Sequence, residues 1–553
     1  MPARPRAPRP GSSTSGRAAR TSRPGPRRGR RAAWTVYRVP VTALLLANAR
    51  LAGRADTAGL VDVLLDDGRV AAVVPAGSPA PASTARRAPE RVDLDGRTVV
   101  PGLWDAHVHL TQWALVRRRL DVSAATSPAH AAALVRARLD SGPVPRTAVG
   151  QPLVGYGFRW ATWSEEPTAA ILDEQVGDVP VVLLSGDLHS AWASTAGLRF
   201  LGIDDHPTGL LREEEWMPAS PRIVTVSDEV ADELAVEAAQ AAAARGVVGV
   251  VDFEVADNLA AWRRRLARGW DGLRVRAGVW EQYLDATLAE GLRDGDPLAP
   301  GQDLVTQGPL KVISDGSLNT RTAYCFDAYA GTQQDEAHGI LNVDTGHLVP
   351  LMRRAHEAGL RCAIHAIGDR ANALALDAFE ASGARGSVEH AQLLRPDDVA
   401  RFAALGVTAS VQPEHAMDDR DLTEQLWPGR SGRAFPLAEL RAAGVRMTFG
   451  SDAPVAPLDP WVAIASGVTR SRDGREPWHP EHRLDVRTAL EASVDGRSLG
   501  LDVGAPADLA VLDADPLALA DERAGDVVGL SARLRELPVA GTLLAGRWTH
   551  RAL

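Results

Sequence analysis

Eight short apolar runs, separated by longer stretches, constrain this chain more than any other feature. In order they are TVVPGLWDAHVHL, GVVGVVDFE, LRVRAGVW, GPLKVIS, RCAIHAIGD, GSVEHAQ, VTASVQPEH and VRMTFGSDAP, spread between residues 98 and 454. They read as apolar, β-type runs, as buried strands do. Amphipathic helical patterns such as LVPLMRRAHEAG, DVARFAALG and LAELRAAG sit between the later ones, and each ends in a glycine that can cap a helix. Eight β units alternating with helices form the pattern of an α/β (β/α)8 TIM barrel, with an open doubly wound sheet as its structural rival.

The first and second runs are some 130 residues apart, too far for one crossover, so an inserted subdomain is expected at about residues 111–225. It holds VGYGFRWATWSEEP and LHSAWASTAGLRFLG. Its tryptophans suit a lid or a substrate wall, although aromatics more often only pack. Residues 36–97 and 500–553 read as short strands and turns. They are expected to pair into one composite β-sandwich beside a barrel spanning 98–499.

Residues 1–33 carry ten arginines and no acid, so the rest of the chain bears −19 against −9 for the whole. Such an acidic body argues against nucleic acid as the main partner. The Arg/Pro-rich tail, residues 1–35, reads as disordered. RRGRRAAW followed by VTALLLANA mimics an export signal, but the apolar run is short and continues as strand and hairpin, so TALLLANARL is read as the first strand. No run approaches a membrane span of roughly 20 apolar residues. The two cysteines, Cys325 and Cys362, form no disulfide framework. A cytoplasmic chain acting on a small molecule, able to form a homodimer, is the expectation.

Chemistry in a barrel of this kind collects where the strands end. His107 and His109 end the first run, Lys311 lies in the fourth, His365 in the fifth, His390 in the sixth and Asp452 ends the eighth. His107 and His109 are two apart, so on a strand both point to one face. Four imidazoles and a carboxylate suit zinc or a similar divalent ion. Lys311 is the only lysine in the chain; the other 60 of its 61 basic residues are arginines. A lysine inside a barrel beside metal ions is driven toward the neutral amine by desolvation and like charge. A neutral amine can add carbon dioxide, and the resulting carbamate offers two oxygens that can bridge two metals. The alternative is a salt bridge from Lys311 to Asp315, four residues on.

PGLWDAHVHL, GPLKVISDGSLNTRTA, CAIHAIGDRA, VEHAQ, QPEH and GSDAPV together resemble the amidohydrolase superfamily. More narrowly they resemble amidohydrolase family 3, the branch that includes N-substituted formamide deformylases. The resemblance runs from about residue 40 to the end. It implies a distorted (β/α)8 barrel with a composite β-sandwich, and a hydrolase that uses a metal-bound hydroxide. It implies that His107, His109, His365, His390 and Asp452 ligate one or two divalent metals, zinc first, and that Lys311 bridges them. Asp452 would also take the proton of the attacking water and pass it to the leaving amine. His189, Gln412 and His415 would lie near the substrate, with Asp315 and Arg321 flanking the site. The function so implied is hydrolysis of a non-peptide C–N bond in an amide, formamide or cyclic amide. An esterase, isomerase or decarboxylase would use the same metal site, and a non-catalytic scaffold would have lost ligands that are all present here.

Overall fold

The computed structural model describes residues 43–52, 59–79, 88–142, 152–160, 163–186, 190–224, 226–331, 337–523 and 525–553. The basic tail, residues 1–35, lies outside them. All eight apolar runs become strands of one parallel sheet: β1 (Leu103–Val108), β2 (Val247–Asp252), β3 (Arg274–Trp280), β4 (Val305–Ile313), β5 (Cys362–Ala366), β6 (Gly386–His390), β7 (Thr408–Val411) and β8 (Met447–Phe449). Their neighbours in space are their neighbours in sequence. The open-sheet alternative, which would reverse strand order partway, does not occur.

Helices cover the outside, so the strands are buried on both faces and carry continuous apolar runs such as the fully buried VVGVVD of β2. The sheet closes just beyond β8. There the Asp452 amide donates to the His107 carbonyl at 2.7 Å, and the His109 amide donates to the Ala453 carbonyl at 2.8 Å. Closure therefore happens at the candidate site itself.

The first apolar run is not one strand. Thr98–Pro101 pairs with Leu509–Leu512 and with Leu44–Leu51, in a second sheet built from both chain ends, and the chain then steps at Gly102 into the barrel. Proline lacks the N–H needed to continue a ladder. A side chain at Gly102 would meet Val248 Cγ1 at 2.3 Å, so only glycine permits the step. The second sheet runs in the order Arg547–Arg551, Val539–Leu544, Leu509–Leu512, Thr98–Pro101, Leu44–Leu51, Val61–Asp66, Arg69–Pro75, with Glu90–Asp93 also paired to Leu44–Leu51. Buried Asp508 ties it to the barrel by accepting from Arg274 Nε at 2.6 Å.

The segment between β1 and β2 carries a sheet of its own, ordered Leu210–Arg212, Ser190–Ala193, Val181–Ser185, Leu153–Phe158, Leu120–Asp121. Trp192 is fully buried in it, 6.2 Å from Phe158 and 6.3 Å from Trp163 between ring centres. That tryptophan packs a core and does not line a substrate wall. Among the described residues, no helix is long and apolar enough to cross a membrane.

Candidate metal centre

The site begins with the pleat of β1. Asp105 and His107 alternate along it, His109 follows just past its last residue, and buried Asp105 fixes the strand end. Its Oδ1 accepts from the His107 amide at 3.1 Å and from the Ser451 amide at 2.9 Å, which holds the end of β1 to the loop after β8. That loop presents Asp452 in the left-handed conformation, at φ 55°. His107 Nε2 and His109 Nε2 lie 3.4 and 3.3 Å from the same Asp452 oxygen. Ligand bonds of 2.0–2.1 Å in a tetrahedral zinc site put ligand atoms about 3.3 Å apart. The spacing of these three atoms thus fits a divalent ion.

Lys311 leaves β4 toward the same point. It is 2% exposed, and its Nζ is 3.5 Å from His107 Nε2 and 4.8 Å from the centre of the Phe253 ring. Burial lowers its pKa to about 8, against the pull of Glu389 and Asp452. The neutral amine is therefore accessible near neutrality, as the lone-lysine argument requires. The alternative partner is taken: Asp315 accepts backbone N–H bonds from Tyr324 at 2.9 Å, Ile367 at 3.1 Å and Gly368 at 2.9 Å. Asp315 builds the floor of the loops after β4 and β5.

Desolvation, then the Lys311 charge, pushes His107 down to about 4, so its ring is neutral. Its Nδ1 lies 2.8 Å from Glu389 Oε2. A carboxylate only accepts, so the proton sits on Nδ1 and the Nε2 lone pair faces the Asp452 side. Burial would raise Glu389, but the His107 hydrogen bond and charge, the Lys311 charge and the Ser387 hydrogen bond together outweigh it, and the carboxyl is lowered. Burial likewise would raise Asp452. The imidazoles around it, with His109 as a hydrogen-bond donor, together hold it well below the usual carboxylate range.

His390 ends β6 and is buried. Its ring centre lies 5.2 Å from His107 and 4.5 Å from His365. Desolvation, then His365, lowers its pKa well below that of an ordinary histidine. His365 Nε2 faces the Gly316 carbonyl at 3.2 Å and Asp315 at 3.4 Å. His415, the first residue of the helix His415–Leu426, stacks on His390 at 5.9 Å, and ligand atoms of His390, His415 and Asp452 fall within 4.8 Å of one another. Gln412 is buried just before it. Arg321 is exposed at φ 57°. His189 lies outside the described residues.

Several buried polar atoms here have no hydrogen-bond partner: Nδ1 of His109 and His390, Nε2 of His415 and Oε1 of Gln412. Orphaned buried donors and acceptors are costly; a bound ion or substrate would satisfy those of His390, His415 and Gln412, while His109 Nδ1 lies across the ring from the nitrogen that faces Asp452. His107, His109, Asp452, Lys311 and His390 thus fit a divalent metal, with His415 and Gln412 beside it. Two residues were not among the expected site residues. Asp105 was signalled by its place two before His107, on the same face. Glu389 gave no signal, because a residue next to His390 on a regular strand should face the opposite way.

A model of the amidohydrolase family matches residues 90–550. The chain is 27% identical to a putative amidohydrolase of Bacillus subtilis, YtcJ, covering 78% of this chain and 86% of that one. It is 25% identical to an N-substituted formamide deformylase of Arthrobacter pascens, covering 83% and 89%. Among solved structures, an uncharacterized metal-dependent hydrolase from Pyrococcus horikoshii superimposes with a TM-score of 0.70 at 25% identity, over 86% of this chain and 98% of that one.

Proposed function

The chain belongs to the amidohydrolase family, and from that premise we propose that it hydrolyses a C–N bond outside peptides, in a small amide, formamide or cyclic amide, with zinc as the working metal. A metal-dependent amidohydrolase is the coarser statement that its family and its ligand set support together. The observation that carries the reading is the convergence of His107 Nε2 and His109 Nε2 on one Asp452 oxygen, with buried Lys311 beside them. The narrower bond class draws support from the formamide deformylase to which the chain is similar.

His107, His109 and Asp452 would hold one ion, and Lys311, as its carbamate, with His365 and His390 would hold a second. When bound, such ions make water a nucleophile near neutral pH and polarise a carbonyl. The residues do the rest. Asp452, kept ionised by its imidazole neighbours, accepts a proton from the attacking water and returns it to the departing amine. Glu389 keeps the His107 proton on Nδ1. His415 Nε2 and Gln412 Oε1, buried without a protein partner, would be the groups that meet substrate.

The test is amine release from a panel of N-substituted formamides, simple amides and cyclic amides, with esters and dipeptides alongside. Zinc-loaded protein should act on the non-peptide C–N substrates. Chelator-stripped protein and Asp452→Asn should not. Turnover of esters or dipeptides alone would move the reading to another bond on the same scaffold.

A further inference from the structure

Away from the central cluster, residues 478–482 place two histidines three residues apart, the second closing a short turn, Pro480–His482. His482 is 1% exposed, and its Nε2 lies 2.9 Å from the Gly432 carbonyl oxygen. A carbonyl only accepts, so Nε2 bears the proton of the neutral ring. Nδ1 makes no hydrogen bond, yet lies 2.8 Å from Glu439 Oε2. His479 repeats the arrangement. Its Nε2 is 3.2 Å from Glu424 Oε1, and Glu424 is itself oriented by Trp478 Nε1 at 2.9 Å and the Ser431 hydroxyl at 3.0 Å. With the proton on Nε2, the His479 Nδ1 lone pair faces Glu481 Oε1 at 3.0 Å.

With that tautomer two lone pairs point at two carboxylates, which repel unless a proton or a metal cation joins them. Ligand atoms of His479, Glu481 and His482 lie within 4.8 Å of one another. Glu424, Glu439 and Glu481 bring three negative charges. The positive charge facing Glu439 and Glu481 is the buried guanidinium of Arg470, stacked 4.9 Å from the Trp478 ring centre. Arg420 faces Glu424 as well, and the cluster still keeps a net negative charge that a cation would offset.

We infer that His479, Glu481, His482 and Glu439 form a second, non-catalytic zinc-type site. His479, Glu481 and His482 already converge, and Glu439 Oε2, 2.8 Å from His482 Nδ1, would move in as the fourth donor, giving two imidazole nitrogens and two carboxylate oxygens with no position left for substrate. Each histidine has its other nitrogen anchored, by Gly432 or by Glu424, as metal-bound histidines do. The ion would staple the helix Leu437–Ala442 to the loop that carries the two histidines.

Zinc per chain, measured by elemental analysis after loading the full chain with zinc and dialysing, tests this. His479→Gln and Glu439→Gln should each hold one zinc fewer than wild type, gain less in melting temperature when zinc is added, and keep the wild-type turnover. The loss of one zinc on adding His479→Gln should persist in a chain already carrying His107→Ala and His109→Ala, even if no substrate is ever found. Equal zinc content in wild type and both folded variants would overturn the inference and leave the histidines as imidazolium partners of the glutamates.

Discussion

Lys311 is the one lysine among the 61 basic residues of this chain, and its surroundings suit an amine that can lose its proton. The amine is buried 3.5 Å from His107, and its pKa is lowered to about 8. A guanidinium in its place would put a permanent charge beside the ligands and offer them no route to a bridging oxygen. Lys311→Arg should therefore weaken metal binding by at least about 10–100-fold and lower turnover with it; full zinc content and full rate would show the lysine to be dispensable. Glu389 acts one bond further out, through Nδ1 of His107. Glu389→Gln should cost about 10–100-fold in zinc affinity, read by competition with a chelating dye, while the fold survives. The candidate ligands were legible because each stands in or just beyond a barrel strand in a recognisable motif. Glu389 was not. His390 next to it adopts φ 72°, which breaks the strand's alternation and turns both neighbours inward. No periodicity in the sequence announces such a backbone turn. Asp315 shows the converse: its motif implied a place by the substrate, while the fold spends its oxygens on three backbone amides.

At the level of elements, all eight barrel strands were readable from apolar runs and glycine-terminated helices. The junctions between elements were harder to read. The break between Pro101 and Gly102 depends on contact with Val248, nearly 150 residues away in sequence. The inserted segment was legible as an insertion from its length, but its five-stranded sheet was not: Val181–Ser185 is an apolar run like those of the barrel, while its edge strands Leu120–Asp121 and Leu210–Arg212 are only two and three residues long and leave no periodic signal. Gly450, between β8 and Asp452, is where element packing meets function. A Cβ there would lie 2.8 Å from both the Cβ and the amide nitrogen of His107. Gly450→Ala should force β8 away from β1, at about 1–3 kcal/mol of stability. It should also weaken zinc binding although every ligand remains. Thermal unfolding with and without zinc measures both, and an unchanged zinc-induced shift would separate barrel closure from the site.

Over the whole molecule, the two chain ends share one sheet, and the barrel they flank closes on the residues that would hold the metal. Cys325 and Cys362 belong to the packed interior, where burial pushes both thiols up to about 12. They should stay protonated at pH 8 and resist a thiol reagent in the native protein, with both titrating once the chain is unfolded; rapid labelling of the folded chain would show that this interior opens. The central claim is that the barrel's strand ends hold a catalytic divalent ion. A crystal of zinc-loaded protein, with diffraction recorded at the zinc absorption edge, tests it most directly. The account predicts an anomalous peak about 2.0–2.2 Å from His107 Nε2, His109 Nε2 and an Asp452 oxygen. A crystal of hydrolytically active protein with no peak among those three atoms would contradict it.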